Sequence, residues 1–253
     1  MYRKFFTVSF DDGLEQDKMI LGLMRKYGIR GTFNLNSSLL GQDADIGYLG
    51  KYGVQNLGKN EKRSRLLKYA AADRIPEDEI PEVYRGMELA SHGAHHLDES
   101  KLSLPQLEAE LSDDRKALQR LTDTPVVGHV LPFGKTSAAV TSYMRENGFL
   151  YTRGIKSQKA KRNFAFPDDP LLFNPTCWQI EADFEKLVDQ FIEAEPVEGD
   201  MLFYVWGHGY EFDFPACKGL RESYERVFAK VAEHDEILKC TNAEAFSAHY
   251  ANH

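Results

Sequence analysis

Phe5-Phe6-Thr7-Val8-Ser9-Phe10-Asp11-Asp12-Gly13 is the stretch on which the fold turns. Its first six residues are mostly aromatic or β-branched, the short apolar run of a strand buried on both faces. Two adjacent carboxylates end it, and Leu14, Met19, Ile20, Leu23, Met24 and Tyr27 then recur at helical spacing up to Gly28, a residue suited to a helix C-terminus. A second strand, Thr32–Leu35, follows at once. Strand, helix and strand with short joins predict a parallel βαβ unit with a right-handed crossover.

The alternation returns further along. Ser103-Leu104-Pro105-Gln106 has the form of a capping box and starts a helix carrying Leu107, Leu111, Leu118 and Leu121. Strands are expected at 87–90, 126–131, 149–152, 201–206 and 236–240, and helices at 138–147, 184–194, 221–232 and Asn242–Tyr250. About seven strands alternating with helices argue for an α/β fold with a parallel sheet, and the count suits a barrel better than an open sheet. No repeat and no Gly/Ser- or Pro-rich linker divides the chain, so residues 1–253 read as one domain. An insertion at about 41–85, with a helical stretch at 61–72, interrupts the alternation and reads as a candidate substrate-shaping cap or a plain surface excursion.

A formal net charge of −8 over 253 residues gives no electrostatic footprint for nucleic acid. The basic run at 156–162 reads as a solvated loop in preference to a grip on an anionic substrate. Cys177, Cys217 and Cys240 are odd in number and lack CxxC spacing, which argues against a disulfide framework or a Cys-ligated zinc and for a reducing compartment. No apolar run approaches the roughly 18 residues of a membrane span, and the N-terminal run is too short for a signal sequence. These features predict a cytoplasmic protein with no nucleic-acid or membrane partner; oligomeric state is not legible.

Every residue able to do chemistry falls where a strand is expected to end: Asp11 and Asp12, His92 and His96 of SHGAHH, Pro132-Phe133-Gly134, Arg153, and His208. In parallel α/β folds functional groups converge at the carboxyl ends of strands. Each signal alone has an ordinary explanation: Asp caps helices, a His pair at i and i+4 shares one face of a helical turn, and His208 sits between glycines. Convergence of five segments outweighs them. One Asp and two His form a three-ligand set for a divalent metal, Zn²⁺ first, with Co²⁺, Ni²⁺ or Mn²⁺ as alternatives; it leaves positions open for water and substrate. One carboxylate remains as acid or base. There is no G-x-S-x-G elbow and no cysteine placed as a nucleophile.

In this order, SFDDG, the H-x-x-x-H of His92 and His96, the Pro132-Phe133-Gly134 turn and a His after a late apolar strand resemble the polysaccharide deacetylase family (NodB-homology, carbohydrate esterase family 4) from residue 7 to about 213. The resemblance implies a distorted (β/α) barrel of about seven strands and metal-dependent removal of acetyl groups from N- or O-acetylated sugars. It implies Asp12, His92 and His96 as metal ligands, Asp11 as general base and His208 as general acid. The backbone N–H near Phe133, after Pro132, would help hold the oxyanion, and Trp206 is a candidate wall of the acetyl pocket. The chain departs from the pattern twice. Val130 stands where the third motif usually opens with Arg, so Arg153 is expected to reach the same carboxylate from the next strand end. The usual Asp-aromatic motif is not clear, so Glu211 or Asp213 is expected to steer His208. His95 reads as a rim residue. Two other readings share these residues: the same machinery on a small cyclic imide or ureide, and a catalytically silent glycan- or metal-binding homologue.

Overall fold

In the computed structural model, which describes residues 2–42, 73–158 and 164–251, β1 (Lys4–Asp11) is the central element. One edge pairs along its whole length with β7 (Met201–His208), from Lys4↔Met201 to Asp11↔His208. The other edge is shared: β8 (Ile237–Lys239) takes the Lys4 end and β2 (Thr32–Leu35) the Asp11 end. Beyond β2 the sheet runs through β3 (Glu88–Ser91), β4 (Gly128–Val130) and β5 (Tyr151–Arg153), and beyond β7 to β6 (Cys177–Trp178). Every pairing is parallel. Seven strands in the order β5-β4-β3-β2-β1-β7-β6 thus curl into a distorted (β/α) barrel, with β8 off this path. Its seam lies between β5 and β6, where, among the described residues, Arg153 of β5 makes a parallel bridge to Phe173, ahead of β6.

Side-chain alternation splits the core in two. Phe6, Val8, Phe10, Phe33, Phe203 and Val205 point outward, against apolar faces of α1 (Asp17–Lys26), α4 (Phe184–Glu193) and α5 (Leu220–Ala232). The strands are therefore buried on both faces, which is why β1 and β7 read as nearly continuous apolar runs. Inside the barrel, Phe5, Tyr151, Phe173, Tyr204 and Trp206 pack with Phe246 of α6 (Asn242–Tyr250), the C-terminal helix. Between them, α2 (104–119) and α3 (Ala138–Glu146) cover β3 to β5. Among the described residues no helix is long and apolar enough to cross a membrane.

The structure corrects four expectations. β6 went unread because two residues are too short for a period to show. The first helix begins at Asp17, since Asp12 and Gly13 both take left-handed backbone and turn the chain before a helix can start. α2 is not uniform: Glu108–Asp113 is a π-helical segment between Leu104–Leu107 and Asp114–Gln119. His92 to His96 is a turn with Gly93 (φ 73°) and His96 (φ 54°) left-handed, so the pair meets without any helix. The expected helix at 61–72 and most of the insertion lie outside the described residues.

Candidate functional site

The paired register of β1 and β7 sets Asp11 beside His208 at the carboxyl ends of both strands. Asp11 is held from two sides. Asn34 Nδ2 donates to its Oδ1 at 2.7 Å, and one guanidinium nitrogen of Arg153 reaches both carboxylate oxygens, at 2.5 and 2.6 Å. Burial would push this carboxyl up, but the charge of Arg153, with that of His208, holds it below its ordinary value. Arg153 starts from the rung beside Val130, its register partner across β4 and β5, so its side chain leaves the same face of the sheet about 4.8 Å away. That displacement is small against the length of an arginine. Trp206, expected as a pocket wall, is 5% exposed: its ring lies 4.4 Å under the Arg153 guanidinium and stacks on Trp178 at 5.6 Å.

Asp12, His92 and His96 offer ligand atoms that all lie within 4.8 Å of one another. Asp12 Oδ1 is 3.9 Å from each imidazole Nε2, is buried, and makes no hydrogen bond. A buried carboxylate oxygen without a donor is costly unless a cation completes it. His92 Nδ1 lies 2.8 Å from the Val130 carbonyl, which assigns the proton to Nδ1 and turns the Nε2 lone pair toward Asp12. Burial holds His92 down to about 3, so it is neutral, as a ligand must be. Asp12 would be raised by burial, but His96, His208, His92 and Arg74, whose guanidinium is 3.7 Å away, bring it to about 2. The donor set fits a divalent cation. Phe133, left-handed at φ 57°, meets the His96 ring edge to face at 4.7 Å and brings the Pro132–Gly134 turn to this cluster. His95 points elsewhere: its half-exposed imidazole binds Glu110 at 2.6 Å, as a rim residue would.

His208 Nε2 faces Asp11 Oδ2 at 4.0 Å, and Nδ1 binds Glu211 Oε1 at 2.9 Å. Glu211 is buried and also accepts from Trp178 Nε1 at 2.9 Å and Gln179 Nε2 at 2.5 Å. Gln179 crosses bare Gly207, where any β-carbon would collide with it. Burial lowers the His208 pKa, but the Glu211 hydrogen bond and charge, with Asp11 and Asp12, raise it to about 9. Asp213, the other candidate, is exposed and binds Gln16 instead. The sequence reading missed Asn34, Gln179 and Trp178. Asn34 carried a signal, a strand-disfavouring amide in an otherwise apolar run; the other two sit on or beside the unread β6.

The polysaccharide deacetylase family matches residues 2–152. No curated protein matches the chain. Among solved structures, one described as a polysaccharide deacetylase from Mycobacterium smegmatis superposes with a TM-score of 0.58 at 14% identity, covering 98% of this chain and 91% of that one. A family 4 carbohydrate esterase from Streptomyces lividans in complex with acetate gives 0.50 at 15% identity, covering 95% and 93%. A CE4 family pseudoenzyme from Bacillus anthracis gives 0.52 at 13% identity, covering 96% and 66%. The chain spans about half the length of two others, 55% of a Streptococcus pyogenes deacetylase and 45% of a Bacillus cereus one. The family match covers more than half of the sequence, and the chain belongs to the polysaccharide deacetylase family.

Proposed function

We propose that the protein is a metal-dependent hydrolase that removes an acetyl or related acyl group from an N- or O-acetylated sugar or glycan, with zinc as the preferred metal. One observation carries this reading: two braced couples, Asp11–Arg153 and His208–Glu211, face each other at 4.0 Å beside Asp12, His92 and His96. A divalent cation held by those three residues supplies Lewis acidity toward the acyl oxygen and the attacking water. Asp11, ionised and fixed by Arg153 and Asn34, takes the proton of that water. A backbone N–H near Phe133, in the Pro132–Gly134 turn, would help hold the oxyanion. His208, protonated below about pH 9, gives its proton to the leaving nitrogen or oxygen while Glu211 keeps the ring in place.

Arg153 on Asp11 favours a competent site over a silent one, because it supplies the guanidinium that Val130 lacks. The test is acetate release from a panel of acetylated chitooligosaccharides and acetylated esters, before and after chelation and metal return, beside a panel of cyclic imides. Metal-restored release of acetate from the glycans is expected. Turnover of imides alone would move the substrate class, and metal binding without any turnover would leave a binding protein.

A further inference from the structure

Behind the His92–His96 turn, on the outer face of the sheet, four buried side chains make one hydrogen-bonded chain. Asp114 Oδ2 accepts from Ser91 Oγ at 2.7 Å, Ser91 Oγ lies 2.9 Å from His129 Nδ1, and His129 Nε2 lies 3.0 Å from Glu99 Oε2. Ser91, His129 and Asp114 are 0% exposed and Glu99 1%. Asp114 Oδ1 also accepts from the Ser37 N–H at 2.8 Å. One chain thereby ties the ends of β2, β3 and β4 to α2 and to the segment after the turn.

We propose that Ser91, His129, Glu99 and Asp114 are positioning residues for the metal-binding turn. β3 and β4 share only one register pair, Ser91↔His129, so the ladder barely joins them. Two side-chain rungs take its place, one on each face: Ser91 to His129 outside and His92 to the Val130 carbonyl inside. The turn itself needs holding, because His96 keeps a left-handed backbone at a cost on the order of 1 kcal/mol that its surroundings must impose. They do so from behind. Asn36 Nδ2 donates to the carbonyls of His92 and Gly93 at 2.6 and 2.8 Å, and the π-helical segment of α2 aims the Glu110 carbonyl at the Ala94 N–H. Gly93 lies so close that a β-carbon there would stand 3.0 Å from Glu99 Oε1.

The inference rests on the metal reading above, and equilibrium titration of the purified, folded chain with Co²⁺ tests both separately. Partners of this kind are worth about 10- to 100-fold in metal affinity. Ser91→Ala and Glu99→Ala are expected to weaken Co²⁺ binding by that factor, while Ser91→Thr, which keeps the hydroxyl, stays near wild type. Val231→Ala, a cavity in the distant outer core, is expected to lose thermal stability and keep its affinity. Wild-type affinity in Ser91→Ala, or an equal loss in Val231→Ala, overturns the positioning role. A wild-type chain that binds no cation overturns the metal reading, and this one with it.

Discussion

Asp11 and Glu88 both point into the barrel and both are 3% exposed or less, yet their surroundings drive them in opposite directions. Asp11, at the carboxyl ends of the strands, meets the Arg153 guanidinium and is held below its ordinary value although burial alone would raise it. Glu88, at the other end, meets neutral donors: Thr32 Oγ1 at 2.7 Å, the Tyr151 hydroxyl at 2.8 Å and the Ala243 N–H at the start of α6, also at 2.8 Å. Burial there outweighs the hydrogen bonds and the carboxyl is raised. A buried carboxylate keeps its charge when a cation accompanies it, and drifts toward the neutral acid when only dipoles do. One end of the barrel therefore holds a charged carboxylate beside a guanidinium, and the other a carboxyl among neutral donors.

The sharpest way to break this contrast is at Asp11. Asp11→Asn keeps the shape and one of the two acceptors but not the basicity, and should cut kcat by about 10²- to 10⁴-fold while metal content stays at wild type. Loss of metal along with turnover would make Asp11 a ligand instead. Next comes the cation. Arg153→Ala should lower turnover by about 10²-fold, the scale of a misplaced catalytic group, again with metal retained. Without the guanidinium the Asp11 carboxyl rises, so the acid limb of kcat/KM should move to higher pH. Arg153→Lys restores charge without the fork and should recover part of the loss. Equal loss of metal and turnover would count against an orienting role.

Glu211→Gln probes the other couple. In the proposed role of acid, His208 would support activity below its pKa of about 9, and activity would fall as pH rises through it. Removing the carboxylate should draw that pKa toward 6.5 and pull the alkaline limb of the pH–rate profile down with it, costing far more at pH 8 than at pH 5.5. An unmoved limb would assign it to another group. The smallest effect is expected at Glu88. Glu88→Gln removes a charge that burial already disfavours and should leave kcat within about twofold, as expected of a change outside the reacting groups. Its signature is in stability. A carboxyl raised on folding contributes stability below its unfolded value that is lost as pH rises through the folded one. Urea denaturation should therefore show the variant gaining on wild type from pH 4 to pH 8.

The barrel was legible because its strands are buried on both faces and its helices on one, so apolar runs and helical stripes mark both; Thr32–Leu35 was read to the residue, and so was the start of the last helix at Asn242. The site was legible as a list of strand ends, which is how Arg153 could be singled out from three residues. Illegible were the features whose reason lies across the chain. Glu110 and Asp114 lie on the buried stripe of α2 with Leu107 and Leu118, but in a sequence charged residues read as the solvent face. The π-helical segment has no periodicity of its own. The turn that joins His92 and His96 is set by Asn36 and Glu110, so a spacing of four looked helical where the backbone is not.

The rung shared by Val130 and Arg153 has a wider consequence. In a parallel sheet two positions more than twenty residues apart in the chain can be near-interchangeable launching points for one long side chain. A functional group can therefore migrate sideways during divergence while its tip stays put. A motif written as letters at fixed intervals records only the old departure point, and would score as a loss what is a change of route.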